Sequence, residues 1–203
     1  MQSANQTFPF LVHLIESVIG APFSPPIPIE TFSISPQAEA AATELKTLFD
    51  RYGSDKARRH NYHHLYGHIL SDRNAIAHLL EIGLGTNNTA VVSNMGSAGS
   101  PGASLRAFRD FLPGATIHGA DIDRSVLFEE PNIITYFLDQ TNLQSFDDLS
   151  AIVGQDFDII IDDGLHAPNA NIASLAFACK RLKPGGWSVV EDINPAALPV
   201  WRV

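Results

Sequence analysis

The sequence has a single cysteine, Cys179, among 203 residues, so no disulfide can form within the chain. This excludes the small secreted scaffolds that depend on disulfides. Basic residues are also scarce, because 13 Lys and Arg stand against 22 Asp and Glu and give a formal net charge of -9. A nucleic-acid groove needs clustered Lys and Arg, so we expect no nucleic-acid partner. The balance favours a small-molecule enzyme, or a site where carboxylates surround a cation.

The sequence also has no long apolar run. Its most apolar N-terminal stretch, residues 8–19, contains His13 and Glu16, whereas a bilayer span needs about 20 mostly apolar residues. No Lys or Arg precedes this stretch, so it is not typical of a signal peptide. We therefore expect no membrane partner and a cytoplasmic protein.

Two regions differ in pattern. Residues 1–45 are predicted to form a helical N-terminal extension with a Pro-rich linker at 21–28, and residues 46–203 the main domain. Apolar residues at helical spacing predict a short helix over 10–18, and a second helix is expected from Gln37 to Tyr52, ended by Gly53. We expect the first helix to pack on its own chain; a contact within a homo-oligomer and a flap over the site are the alternatives.

From Leu79 onward, short apolar runs alternate with amphipathic stretches. Predicted strands cover residues 79–82, 116–120, 133–138, 157–161 and 187–190, and predicted helices cover 103–111, 143–153 and 170–182. Strands that are almost continuously apolar indicate a parallel sheet covered on both faces, hence an α/β fold. The Gly-, Ser- and Asn-rich residues 86–101 predict a mobile loop.

Polar residues or glycines follow every predicted strand, at residues 81–85, 121–123, 139–140, 162–166 and 191–192. The carboxyl ends of parallel strands form the edge of the sheet where ligands bind, so these segments are expected to converge. So many carboxylates repel one another unless a cation or hydrogen-bond donors offset them. The pattern therefore predicts a cationic cofactor, a metal ion, or both.

The first of these turns, residues 81–85, has glycines that let a ligand approach the backbone. Asn88 stands where a dinucleotide fingerprint needs a third glycine, and a long loop precedes the next helix. A ligand without phosphates, such as an adenosine joined to an amino acid, therefore fits better than the nicotinamide cofactor of an oxidoreductase. Asp121 can accept two hydrogen bonds from a ribose diol, and Asp139 or Gln140 could pair with the adenine edge.

Four strand-end segments carry a family resemblance. Residues 81–85, 119–123, 163–166 and 190–192 resemble the class I S-adenosylmethionine-dependent methyltransferases, and more narrowly the metal-dependent sugar O-methyltransferases of macrolide biosynthesis. The segment Gly53–Lys56, followed by His60, Tyr62 and Tyr66, is similar to one that precedes the first strand in that family. The resemblance implies a Rossmann-like, mostly parallel sheet of strand order 3-2-1-4-5. The C-terminal strands of that fold are expected to be missing.

The same resemblance implies roles for individual residues. Asp163, Glu191 and Asp192 would hold Mg2+, and His166 would be the general base. The residues implied to line the S-adenosylmethionine pocket are Glu81, Gly83, Gly85, Ser104, Asp121, Ile122, Asp139, Gln140, Asp162 and Tyr66. The implied activity is methylation of a hydroxyl on a small sugar-bearing or polyol substrate. The alternative is a non-catalytic S-adenosylmethionine-binding or interaction protein.

A second group of histidines lies before the first predicted strand. On a helix, His60, His64 and His68 would share one face, and an i, i+4 pair of histidines can bind zinc. No thiol or Glu motif completes such a site. We therefore expect ordinary surface or substrate-edge histidines here.

Overall fold

A computed structural model describes residues 27–194, together with residues 10, 13, 14, 16–18, 20 and 201. The chain divides into two compact units, one of Ile34–Glu191 and the other of Met1–Ser33 with Asp192–Val203. The predicted division after residue 45 stays a prediction. In the first predicted helix, residues 10, 13, 14 and 16–18 are helical. The other residues of that helix, and linker residues 21–26, lie outside the described residues.

Residues 27–194 contain six α-helices and six strands. The helices are α1 (Pro36–Tyr52), α2 (Asp55–Arg58), α3 (His63–Ile69), α4 (Ala103–Phe111), α5 (Leu143–Ile152) and α6 (Pro168–Arg181). The strands are β1 (His78–Ile82), β2 (Thr116–Asp121), β3 (Glu129–Glu130), β4 (Ile133–Phe137), β5 (Phe157–Asp162) and β6 (Leu182–Val190). Among these residues, no helix combines the length and the apolar character that a membrane span requires.

The strands form one sheet in the order β3-β4-β2-β1-β5-β6. All neighbours pair in parallel except the two-residue β3, which is antiparallel to β4. The five parallel strands therefore confirm the predicted order 3-2-1-4-5. The chain runs outward from β1 in both directions, so the strand order reverses there, and ligands bind at such a point in open α/β sheets.

Side chains of β1 alternate between two apolar cores. Leu79 belongs to the core beneath α1, α3 and α4, whereas Leu80 and Ile82 belong to the core beneath α5 and α6. This alternation follows from the two-residue period of a strand. Glu81 therefore faces the first core, where it is fully buried. A carboxylate at such a position needs partners, because burying an unpaired charge is costly.

Helix α1 has well-defined ends. The Ser35 hydroxyl oxygen accepts a hydrogen bond from the Ala38 N–H at 3.1 Å, and Gly53 ends the helix at φ +79°. Helix α3 packs closely on α1, because a Cβ added at Gly67 would lie 2.6 Å from the Ala42 Cβ. The left-handed turn at Gly53 leads directly into α2.

Strand β6 differs from its prediction. The strand was expected to start at Trp187, after a helix ending at residue 182, but it begins at Leu182. Phe157 pairs with Leu182 and Ile159 pairs with Trp187, so residues 183–186 bulge out of the ladder. Pro184 has no N–H to donate, and residue 185 is a glycine at φ +82°, which accounts for the bulge.

Candidate functional site

The carboxyl ends of β1, β5 and β6 lie side by side. Backbone pairing continues one residue past each strand, because the Asp163 N–H donates to the Ile82 carbonyl at 2.8 Å and the Glu191 N–H donates to the Asp162 carbonyl at 2.9 Å. The registry of the sheet thus brings Glu81, Asp163 and Glu191 to one edge. The sequence predicted this convergence from the positions of the strand ends.

The glycine turn after β1 is packed against its neighbours. Gly83 has φ +95°, and a Cβ added there would overlap the carbonyl group of Asp163. Gly85 has φ +75°, and a Cβ there would overlap the Met95 side chain in the loop 86–101. Because glycine has no side chain, Gly83 leaves room for the end of β5 and Gly85 leaves room for the loop. Contact of either glycine with a ligand stays a prediction.

The loop 86–101, predicted to be mobile, is tied to the edge of the sheet at several points. The Met95 N–H donates to the Thr86 carbonyl at 2.9 Å, and the Ser93 hydroxyl donates to the Gly164 carbonyl at 2.7 Å. The Thr86 hydroxyl donates to Asp123 at 2.5 Å. The loop therefore contacts the ends of both β2 and β5.

Asp121 is buried at the end of β2, and the backbone holds its carboxylate. Oδ2 accepts the Leu84 N–H at 2.7 Å, and Oδ1 accepts the Asp123 N–H at 2.8 Å. Burial raises the pKa of Asp121. Each carboxylate oxygen has a second lone pair, so the group can also accept from a ligand. The neighbouring Ile122 side chain is about half exposed.

The residues predicted at the adenine edge have other contacts. Gln140 is buried; its Nε2 donates to Asp162 at 2.7 Å and to Ser174 at 2.9 Å, and its Oε1 accepts the Leu165 N–H at 2.8 Å. These bonds hold the turn after β5. The Asp139 carboxylate accepts from the backbone and hydroxyl of Thr141 at 2.9 and 2.6 Å. Contact of these residues with an adenine stays a prediction.

The side chain at the centre of this edge is Lys56 of α2, which was not among the residues predicted for the site. Its Nζ lies 2.6 Å from Asp163 Oδ2, 2.7 Å from Glu191 Oε2 and 3.0 Å from Glu81 Oε1. The Lys56 residue is only 2% exposed. The segment Gly53–Lys56 was singled out only for its similarity to a segment of the family, with no role expected for the Lys56 side chain. The available signal was the excess of strand-end carboxylates, which required a cation.

Two residues predicted to line the cofactor pocket, Ser104 and Tyr66, contact these carboxylates, and their contact with a cofactor stays a prediction. The Ser104 hydroxyl of α4 donates to Glu81 Oε2 at 2.6 Å, and the Tyr66 hydroxyl of α3 donates to Glu191 Oε1. Tyr66 is fully buried, with its ring edge-on to Phe108 at a centroid distance of 5.2 Å. Among the described residues, Tyr66 is therefore part of the apolar core beneath the site.

Charge is unbalanced in this cluster, because one ammonium faces three carboxylates. Burial raises the pKa of Glu81, and it raises the pKa of Glu191 to about 8. Burial alone would lower the pKa of Lys56, but Asp163, Glu191 and Glu81 raise it well above its usual value. Lys56 is thus a cation, and the excess negative charge favours binding of another one.

His166 follows β5 in the turn before α6. Its Nε2 lies 4.0 Å from Asp163 Oδ1, and the side chain is 28% exposed. Its Nδ1 is buried and has no hydrogen-bond partner among the described residues. His166 also has φ +55°, a left-handed conformation that costs a non-glycine residue free energy and is enriched at functional sites. The predicted base therefore lies beside a predicted metal ligand.

Asp192 follows Glu191 directly in the chain. Strand β6 ends at Val190, and Asp192 has φ +51°, outside the extended region. Strand alternation would point adjacent side chains to opposite faces, but it does not extend to this residue. The roles of Glu191 and Asp192 as metal ligands stay predictions.

The histidines before β1 do not share one helical face. Helix α3 begins at His63, and Asn61 has φ +60°, which separates His60 from the helix. The His60 ring stacks on Tyr62 at a centroid distance of 5.2 Å. The condition for a shared face, one helix over His60, His64 and His68, is therefore not met, because a left-handed residue interrupts the chain after His60.

Comparison with known proteins gave three curated relatives, while no family model matched the chain. The 8-demethyl-8-alpha-L-rhamnosyl tetracenomycin-C 2'-O-methyltransferase of Streptomyces olivaceus is 31% identical over 159 residues, or 78% of this chain. The demethylmacrocin O-methyltransferase of Streptomyces fradiae is 31% identical over 79% of the chain, and the mycinamicin VI 2''-O-methyltransferase of Micromonospora griseorubida is 34% identical over 67%. The chain spans 40%, 39% and 32% of the lengths of these proteins, respectively.

Solved structures give a similar result. The MycE methyltransferase from the mycinamycin biosynthetic pathway, in complex with Mg and SAH, has a TM-score of 0.65 and 32% identity, covering 78% of this chain and 42% of that one. The same enzyme in complex with Mg, SAH and mycinamycin VI has a TM-score of 0.62 and 33% identity, covering 73% of this chain and 39% of that one. The fold and the sequence of the present chain therefore point to the same group of proteins.

Proposed function

Because this chain is a relative of the sugar O-methyltransferases over the part of them that it spans, we propose that it takes part in Mg2+-dependent transfer of a methyl group from S-adenosylmethionine to a hydroxyl. The acceptor in this proposal is a small sugar-bearing or polyol molecule. The observation that carries the proposal is the convergence of Glu81, Asp163 and Glu191 at one edge of the sheet, with His166 next to Asp163.

The donor set supports a magnesium site. Mg2+ prefers oxygen ligands and keeps coordination positions open for water or substrate. Asp163, Glu191 and Asp192 would hold the ion, and the excess negative charge beside Lys56 favours its binding. When bound, Mg2+ lowers the pKa of a substrate hydroxyl that coordinates to it.

The cofactor would lie along the ends of β1 and β2. S-adenosylmethionine carries a sulfonium and an amino group, so buried carboxylates such as Glu81 and Asp121 favour its binding. Asp121 is fixed by two backbone N–H groups and can accept from the ribose diol. The methyl group is already activated, so the protein mainly aligns oxygen, methyl carbon and sulfur. Alignment of this kind is worth about 7–11 kcal/mol.

His166 would accept the proton of the substrate hydroxyl. Imidazole is the commonest general base in enzymes, and the His166 ring lies 4.0 Å from the carboxylate of Asp163. His166 has a left-handed backbone conformation, and its side chain lies beside Asp163. A general base must lie next to the proposed magnesium ligands, and the position of His166 agrees with this.

Calorimetry with S-adenosylhomocysteine tests the cofactor site. We expect binding to the wild type and its loss in Asp121→Ala, whereas Asp147→Ala, at an exposed position on α5, should bind like the wild type. Methyl transfer to a glycoside should then depend on added Mg2+. Binding without transfer to any polyol acceptor would favour the non-catalytic alternative, and a wild type that binds no cofactor would overturn the proposal.

A further inference from the structure

Lys56 is a buried lysine delivered by a very short helix. Helix α2 has four residues and is capped by Ser54, whose hydroxyl oxygen accepts the Lys56 N–H at 3.4 Å. Gly53 precedes it in the left-handed conformation that ends α1. The short helix therefore places one long cationic side chain beneath the acidic edge of the sheet, where the residue is 2% exposed.

The contacts of Lys56 match the donors of an ammonium group. The group has three N–H bonds, and each of three strand ends supplies one carboxylate oxygen within 3.0 Å of Nζ. The Glu191 and Asp163 contacts have hydrogen-bond geometry. Removing the ammonium would leave three carboxylates facing one another in a buried place, and like charges held this close repel strongly.

We infer that Lys56 is a positioning residue of the proposed metal site, a built-in counter-cation that holds Asp163 and Glu191 together and weakens their attraction for a divalent ion. The inference rests on the proposed function for the identity of the ion. The ammonium offsets negative charge among the three carboxyl groups that it faces, so they stay assembled at a lower total charge. A divalent cation that approaches Asp163 and Glu191 is also repelled by the ammonium, which lies within 2.7 Å of both.

The hydrogen bonds accepted by the second carboxylate oxygen of Glu81 and of Glu191 support this role. Ser104 donates to Glu81, and Tyr66 donates to Glu191, so neutral donors already bind the carboxylate oxygens that Lys56 does not contact. Lys56 is therefore the charge-balancing partner, while the hydroxyls supply orientation. A neutral residue of similar length should preserve most of the packing and remove the charge alone.

The test compares wild type with Lys56→Met by calorimetric titration with MgCl2 and by thermal melting with and without Mg2+. Without Mg2+, we expect Lys56→Met to melt at a lower temperature than the wild type. Added Mg2+ should raise the melting temperature of the variant more than that of the wild type, and the variant should bind Mg2+ roughly tenfold more tightly or better. Lys56→Arg keeps the charge and should bind Mg2+ like the wild type. Lys46→Met serves as a matched control, because Lys46 forms an exposed ion pair with Asp50 on α1.

Equal or weaker Mg2+ binding by a folded Lys56→Met would overturn the inference, as would an Arg variant that behaves like the Met variant. A Met variant that folds only when Mg2+ is added supports it; one that stays unfolded in Mg2+ while Lys56→Arg folds counts against it. These readouts do not depend on methyl transfer. Loss of cofactor binding and turnover in the wild type would refute the proposed function, whereas the difference between the Met and Arg variants in Mg2+ would still decide the role of Lys56.

Discussion

At the scale of single residues, His166 combines a strained backbone with a proposed chemical task. A non-glycine residue at φ +55° costs roughly 1 kcal/mol, which a glycine would avoid. The residue is also the nearest described imidazole to Asp163, at 4.0 Å. A side chain kept for packing alone would not need this conformation, so strain and position together favour a functional role.

We therefore expect His166→Ala to lose turnover by roughly a hundredfold or more while keeping its affinity for S-adenosylhomocysteine. His166→Gly should be equally inactive, but about 1 kcal/mol more stable than His166→Ala in urea denaturation, because glycine relieves the left-handed strain. Turnover and calorimetry are measured on the same preparations. Normal turnover in either variant would show that another group takes the proton.

The residue scale also shows what the sequence could not predict. Asp163, Glu191 and Asp121 were predictable because each follows an apolar run, and the ends of parallel strands meet at one edge. Lys56 stands in the charged stretch Asp-Lys-Ala-Arg-Arg, which is typical of a solvated helix face. Its burial depends on partners that are 25, 107 and 135 residues away in the chain, so local pattern carries no sign of it.

At the scale of elements, the turn after β1 depends on close packing between two strand ends. Gly83 combines φ +95° with a Cβ position that would overlap the Asp163 carbonyl, so both the conformation and the space require glycine. Any side chain there must push β1 away from β5. The displaced group would be Asp163, a proposed metal ligand.

We expect Gly83→Ala to destabilise the protein by roughly 2 kcal/mol or more in urea denaturation, and to weaken Mg2+ binding. Gly154→Ala is the matched control, because no atom lies within 4 Å of the Cβ position and its φ is outside the left-handed region. That variant should stay within about 0.5 kcal/mol of the wild type. Similar losses in the two variants would contradict the packing argument.

Elements with a long periodic pattern were predicted well, and short ones were not. The five parallel strands and the helices α1, α4, α5 and α6 follow from apolar runs and helical spacing. The four-residue α2 and the two-residue β3 are too short to carry a period, and β3 exists only because it pairs with β4. The early start of β6 was missed because Pro-Gly-Gly predicts a turn, whereas the chain accommodates these residues as a bulge.

At the scale of the whole molecule, the stability of the fold should depend on pH through a histidine in the sheet. His118 of β2 is fully buried. Its ring nitrogens lie near the Tyr136 hydroxyl at 3.2 Å, the Gln155 amide at 3.1 Å and His78 at 3.4 Å, while Phe157 packs edge-on to the ring. Burial, with a smaller contribution from His78, lowers the pKa of His118 to about 4.

The sign of this dependence follows from proton binding in the two states. Between about pH 6.5 and pH 4 an unfolded His118 takes up a proton that the folded protein excludes, so the free energy of unfolding falls as the pH falls through this range. The loss of unfolding free energy due to His118 is at most about 3 kcal/mol, since each pKa unit corresponds to about 1.4 kcal/mol. Glu191 acts in the opposite direction, because its raised pKa makes the folded state bind the extra proton below about pH 8.

Because these contributions oppose each other, the wild-type curve alone does not isolate His118, and a variant is needed. His118→Gln removes the titrating group and keeps a polar side chain near Tyr136 and Gln155. Urea denaturation is measured at about pH 7 and about pH 5. Between these pH values, we expect the free energy of unfolding to fall by roughly 1–2 kcal/mol more in the wild type than in the variant. The variant should be less stable at the higher pH, because it fills the ring site less well. Equal losses in both proteins would mean that His118 takes up its proton in the folded state, and the sheet would then not exclude the charge.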